Sequence, residues 1–162
     1  MNYLGLEKEK LNETVQALNI LLADYHVYYQ NLRNYHWNVK GENFFDLHEK
    51  FEELYNDARV KIDEIAERIL ILRYRPMSNM SDYLAKANVN EVKPDYEDQV
   101  MVENILENHK ILIEDMRVVL EKADTAKDEG TIDMIGGFLE NIEKMSWMLD
   151  AWATQKVGEL TA

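Results

Sequence analysis

Side chains able to hold a metal recur at helical spacing in one part of this sequence: His48, Glu52, Asp63 and Glu67, with His36 upstream. Steps of four place His48 over Glu52, and Asp63 over Glu67, on a helix. The gap from Glu52 to Asp63 is close to three full turns, so all four residues share one face. Imidazole and carboxylate together suit iron, manganese or zinc, and carboxylate-rich sets favour iron or manganese redox chemistry. Taken alone, the same stripe also describes a solvated acidic face, and His36 also fits a satisfied core or interface histidine. His36, however, continues a buried helical seam, where a polar group needs a partner. Distance adds a constraint. At about 1.5 Å per residue, His48 and Asp63 lie roughly 22 Å apart along the helix axis. They cannot ligate one ion within one chain. A two-fold axis crossing the helix would bring His48 of one copy near Asp63 and Glu67 of the other, giving two equivalent sites. The Glu-x-x-His pairs of an intrachain di-iron bundle are absent. The residues three before His26, His36, His48 and His109 are Ala23, Arg33, Phe45 and Leu106.

The elements that would position these residues are long helices. In 162 residues there are only 6 Gly and 2 Pro, and no Cys, which removes disulfides and thiolate sites. Hydrophobic residues at 46% and charged residues at 30% fit one globular domain over 1–162. Leu11, Val15, Leu18, Leu22, Tyr25, Tyr29 and Leu32 form one stripe, and His36 is its next member. This predicts a first helix over about 7–39, stopped near Gly41. Leu47, Phe51, Leu54, Ala58, Ile62, Ile65 and Ile69 predict a second over about 46–73, ending before Pro76. A short helix is expected over about 79–87. Pro94, Asp95, Glu97 and Asp98 open a third long helix, about 95–123. A polar turn then leads to a fourth, about 131–156. The second and third long helices are joined by a link long enough to cross the bundle, which lets them run parallel. The fold class is therefore all-α: a four-helix bundle with a short extra helix in the long crossover.

Three segments carry a family likeness: Asn34-Tyr35-His36-Trp37-Asn38-Val39-Lys40-Gly41, Phe44-Phe45-Asp46-Leu47-His48-Glu49-Lys50-Phe51-Glu52-Glu53-Leu54-Tyr55, and Asp63-Glu64-Ile65-Ala66-Glu67-Arg68. Together they closely resemble the Dps family, the mini-ferritins. The resemblance spans nearly the whole chain and is most specific over 34–68. It implies a ferritin-like bundle assembled as a hollow dodecamer. It also implies a ferroxidase site on each dimer two-fold, with His36 and His48 from one chain and Asp63 and Glu67 from its partner. Glu52 matches a supporting carboxylate position. The implied substrates are Fe(II) and hydrogen peroxide. Ferric mineral is stored in the cavity, which protects the cell from oxidative damage. Zinc or another divalent ion is an expected substitute for iron at the site. Trp37 resembles a family aromatic that supplies an electron; an interface packing role fits it equally. Asp124, Asp128, Glu129 and Asp133 fall where the family lines its three-fold iron-entry pores, although acids at a helix N-terminus are favoured by the dipole in any case.

Charge bears on partners. The 31 acidic residues against 18 basic give a net charge of -13, a field that attracts cations and repels nucleic acid and anionic membranes. No apolar leader-like stretch opens the sequence and no apolar run is long enough for a bilayer, so a cytoplasmic protein without a membrane partner is expected. Some Dps relatives bind DNA through lysine-rich termini. Here Lys8 and Lys10 are offset by Glu7 and Glu9, and Lys156 by Glu159. A non-catalytic structural cage and a nucleoid-binding Dps are the alternative readings of the same fold. The charge argues against the second: plasmid DNA should migrate unshifted with this protein at about 150 mM salt, and a clear mobility shift would refute the expectation.

Overall fold

The computed structural model describes residues 3–94 and 97–154. Among them there are helices and no strand. A 3-10 turn over Lys8–Lys10 precedes α1 (Leu11–Asn38), α2 (Phe44–Ile71), the short α3 (Met80–Lys86), α4 (Asp98–Ala126) and α5 (Glu129–Ala153). This is the all-α four-helix bundle, with a short helix in the crossover, that the hydrophobic spacing implies.

The ends differ from the sequence expectation for local reasons. The first helix proper begins at Leu11, where the apolar stripe begins. α2 starts at Phe44 and ends at Ile71, closed by Arg73 in the left-handed region at φ 69. Tyr74 N–H reaches Ile69 C=O and Arg73 N–H reaches Leu70 C=O, the paired bonds of a Schellman stop. α4 runs past the expected end at 123 to Ala126, because Ala123 and Ala126 are both buried. Lys127, at φ 57, closes it with the same pair of bonds. Asp128 then caps α5 by accepting from Thr131 N–H, so α5 starts at Glu129. Asp95, and the last turn expected for the fourth long helix with Lys156 and Glu159, lie outside the described residues.

Side-chain pairs give the helix directions. His36 meets His48, so α1 and α2 are antiparallel. Tyr28 meets His109 and Tyr35 meets Asn104, so α1 and α4 are antiparallel. α2 and α4 therefore run parallel, as the long link permits. Arg117–Glu143 and Gln99–Ala153 contacts make α4 and α5 antiparallel. Leu18, Leu32, Phe51, Ile65, Ile105 and Leu112 are fully buried in the shared core. Each such side chain contributes roughly 1.5–3 kcal/mol by leaving water.

The crossover is held by polar side chains of α1. Asn31 donates to Asn90 C=O and accepts from Val92 N–H, while Asn34 donates to Val92 C=O. Asp24 accepts from the N–H groups of Asn88 and Val89 at 2.6 and 2.7 Å through Oδ1. Its Oδ2 is buried with no donor and faces Asp115. Burial, then the neighbouring Asp115, raise the Asp24 carboxyl to about 7. A carboxyl whose folded value is raised stabilises most when protonated in both states. That stabilisation is complete below the ordinary value of 3.8 and is lost as pH rises through about 7. An amide in place of the acid keeps the acceptor for both N–H groups and supplies a permanent donor towards Asp115. Asp24→Asn should therefore raise the melting temperature at pH above 7 and flatten the decline in stability between pH 4 and 7. Asp24→Ala should lower the folding stability at every pH, by about 1–3 kcal/mol for each stranded N–H. Thermal melts of the three proteins across that pH range provide the check.

Candidate metal centre

His36 sits in the last turn of α1 and His48 in the second turn of α2, on either side of the turn at Gly41, whose φ of 106 favours glycine. The two rings stack at 3.8 Å with 21° between planes. His36 Nδ1 lies 2.8 Å from His48 C=O, and His48 Nδ1 lies 2.8 Å from His36 C=O. A carbonyl only accepts, so each Nδ1 carries the proton and donates. This leaves both Nε2 lone pairs open in neutral imidazoles, the form a metal binds. Hydrogen bonding at the second nitrogen of a ligating histidine also fixes ring orientation.

Glu52, one turn beyond His48, completes the local group. One donor atom from each of His36, His48 and Glu52 lies within 4.8 Å of the others. His36 is buried, His48 half-buried and Glu52 exposed, so the group opens to solvent on one side. Two imidazole nitrogens and a carboxylate suit Fe(II) or Zn(II), and three protein donors leave coordination positions free. Aromatic walls brace the rings. Phe44 stacks on His48 at 4.9 Å, and Tyr55 meets His36 edge-on at 5.3 Å. Desolvation, then the Glu52 carboxylate, push the Tyr55 phenol up, so it stays protonated at neutral pH.

Asp63 and Glu67 do not join this group within the chain. Both are exposed on the same unbroken α2, at the distance helix rise requires. Trp37 is 59% exposed beside the site, with the Arg33 guanidinium 4.7 Å over its ring and 5.1 Å from Tyr29. The walls Phe44 and Tyr55 and the reciprocal carbonyl bonds were not deduced from sequence. Phe44 four residues before His48, and Tyr55 seven after it, share its helical face, and that spacing was the available signal.

The four acids near the α4–α5 turn separate into two kinds. Glu129 and Asp133 are exposed, and exposed Asp124 lies 3.2 Å from Lys127. Asp128 is 1% exposed. Its carboxylate is taken up by the Arg68 guanidinium and by the N–H and hydroxyl of Thr131. It is an internal cap engaged within the subunit, unlike the exposed Asp124, Glu129 and Asp133 with which the sequence groups it.

Comparison with known proteins follows the same outline. A family model described as a ferritin-like domain matches residues 15–156. The chain is 42% identical over 151 residues to the DNA protection during starvation protein of Porphyromonas gingivalis, covering 93% of this chain and 95% of that one. Among solved structures, a Dps protein from Vibrio cholerae, described as a member of a broad superfamily of ferritin-like diiron-carboxylate proteins, superposes with a TM-score of 0.91. It shares 41% identity and covers 94% of this chain and 96% of its own. A Dps protein from Bacillus brevis superposes at 0.88 with 36% identity, over 92% and 100%.

The two kinds of acid should separate experimentally. Asp128→Ala leaves the half-buried Arg68 without its carboxylate partner and α5 without its cap, a loss of about 2–4 kcal/mol. Glu129→Ala and Asp133→Ala should stay within about 0.5 kcal/mol of the parent. Equal chemical-denaturation midpoints for all three variants would contradict this division.

Proposed function

We propose a ferroxidase and iron-storage role for this chain, which belongs to the Dps family of ferritin-like proteins. It oxidises Fe(II) to Fe(III) with hydrogen peroxide and keeps the ferric product as mineral inside a shell of twelve identical subunits. The observation that carries this reading is the reciprocal His36–His48 clamp, with Glu52 grouped beside it so that one donor atom from each of the three lies within 4.8 Å of the others. Fe(II) is the substrate. His36, His48 and Glu52 of one protomer hold it, and the partner subunit's Asp63 and Glu67 supply hard carboxylate oxygens. Those oxygens favour Fe(III) over Fe(II) and so assist oxidation. Zinc or another divalent ion would occupy the same donors in place of iron.

Two features of the surface favour self-association. Phe45 is 81% exposed, Trp37 59% and Leu70 55%, along the α1–α2 side that carries the ligands. Large apolar side chains left in water on so acidic a chain mark a surface that pairs. Asp63 and Glu67 lie on that same helix, too far from His48 to serve it within the chain. Asp124, Glu129 and Asp133 are then the acids that would guide cations through three-fold pores. The Arg33 cation over Trp37 makes loss of an electron from that ring costlier, which favours packing as its main role. The reading goes with a cytoplasmic location, where removing Fe(II) and peroxide together limits oxidative damage.

Shared sites make a complementation test available. Chains carrying His36→Ala with His48→Ala, and chains carrying Asp63→Ala with Glu67→Ala, should each assemble yet oxidise Fe(II) with peroxide far more slowly than the parent. Unfolded together and reassembled, they form mixed pairs in which one of the two sites is intact and the other lacks all four ligands. Activity should return to about a quarter of the parent value if pairing is random. No recovery in assembled mixed shells would reject the two-chain site, and parent rates in either variant would reject the ligands.

A further inference from the structure

The bundle interior holds a second set of redox-capable groups, away from the metal ligands. Tyr28 of α1 and His109 of α4 are both buried, with Tyr28 Oη 2.7 Å from His109 Nε2. His109 Nδ1 lies 2.8 Å from Ser146 Oγ, and that hydroxyl donates to Ile142 C=O at 2.7 Å. Ser146 has one proton and uses it on the carbonyl, so it accepts from His109 Nδ1–H. His109 Nε2 is therefore a bare lone pair, and the Tyr28 hydroxyl donates to it. The groups facing this pair are Tyr25 on α1 and Asp57 and Lys61 on α2. Asp57 and Lys61 are ion-paired with each other.

We infer that Tyr28 is a reversible one-electron donor to peroxide chemistry at the His36–His48–Glu52 centre, with His109 Nε2 receiving its phenolic proton. This rests on the ferroxidase reading. When a single Fe(II) is bound, it supplies one of the two electrons that hydrogen peroxide needs. The O–O bond breaks, iron is oxidised to Fe(III), and Tyr28 gives the second electron. Both peroxide oxygens leave as hydroxide. Tyr28 becomes a neutral phenoxyl radical and His109 an imidazolium, so charge and atoms balance without release of a hydroxyl radical.

Three observations support the assignment. Ring contacts cover part of the distance from the centre: Tyr55 meets His36 at 5.3 Å and Tyr29 meets Tyr55 at 6.0 Å. From Tyr29 to Tyr28 the remaining step follows the helix backbone, since neighbouring side chains on a helix do not face each other. Tyr28 itself stands about 12 Å from His36 along α1. The proton acceptor is always ready, because burial and then Lys61 lower His109 to about 3 and keep it neutral. An oxidised phenol is a far stronger acid than an imidazolium, so the proton still moves downhill to His109. Finally, the His109 proton chain ends at the Ile142 carbonyl. The proton stays inside and returns to Tyr28 when the electron returns.

The experiment uses the assembled protein loaded with less than one Fe(II) per site, mixed with hydrogen peroxide and freeze-quenched. Iron oxidation is followed by absorbance and radicals by electron paramagnetic resonance in the same samples. The expected result is a tyrosyl signal in the parent and in Trp37→Phe, lost in Tyr28→Phe, which keeps the ring and the packing. Its yield should be flat from about pH 6 to about pH 8, since His109 does not titrate there. Tyr28→Phe should also release hydroxyl radical to a spin trap where the parent does not. Iron oxidation with no tyrosyl signal, or with the full signal in Tyr28→Phe, overturns the relay and leaves the metal centre standing. Absence of iron oxidation in the parent overturns both.

Discussion

Each of two imidazoles is held by the backbone carbonyl of the other, and much of this molecule follows from that exchange. The bonds between His36 and His48 close the α1–α2 hairpin at the end where the chain turns. They also satisfy the carbonyl of His48 and that of His36, the second in the last turn of α1, where helix carbonyls lack intrahelical partners. The same bonds choose the tautomer. A hairpin built this way leaves the second nitrogen of each ring open. Preorganisation of this kind costs stacking two polar rings against Phe44 and Tyr55, and the aromatic walls return part of it.

With the ligands at the hairpin end, the bundle interior is free for other polar groups. A bundle with Glu-x-x-His pairs would place carboxylates at mid-height. This chain has no such pair there, and its mid-height polar atoms include those of Tyr28, His109, Ser146, Lys61 and Asn141. They tie α1 to α4, α4 to α5 and α2 to α5. Each bond spans two helices, so the network fixes the relative sliding of the helices as well as satisfying buried atoms. The His36–His48–Glu52 group lies instead at the hairpin end, open to solvent on one side, and a metal held there would need further ligands from outside the chain. That need links the ligand set to association.

Much of this was legible in the sequence, and the limits are physical. Hydrophobic spacing located the four long helices, because a stripe that must be buried constrains every turn. Helix ends were less legible. The stops after α2 and α4 use Arg73 and Lys127 in the left-handed region, where glycine would have been the readable signal. His36, His48 and Glu52 were legible as candidates from spacing, and the structure brings them together. Their reciprocal carbonyl bonds were not, since backbone acceptors leave no trace in residue type. Asp128 looked like its acidic neighbours until its surroundings were seen. Arg68 lies sixty positions away, and no local pattern connects the two.

The acids of this chain are best understood by what neutralises each. Asp128 has Arg68 and a helix N-terminus, Asp57 has Lys61, and Asp24 has two backbone N–H groups on Oδ1 while its Oδ2 is left without a donor and its carboxyl is raised to about 7. Each of these three carboxylates has at least one donor, as desolvation demands of those that are buried. Asp63 and Glu67 are different. No ion pair engages either among the described residues, although Arg68 is adjacent in sequence and is committed elsewhere. Two unpaired acids one turn apart repel each other on an otherwise ordered helix face. A cation would relieve that repulsion, and in the proposed two-chain site the imidazoles of another copy would complete its shell. The cost of leaving these charges unpaired within the monomer is thus an electrostatic argument for the assembly, made by residues that contribute nothing to the fold.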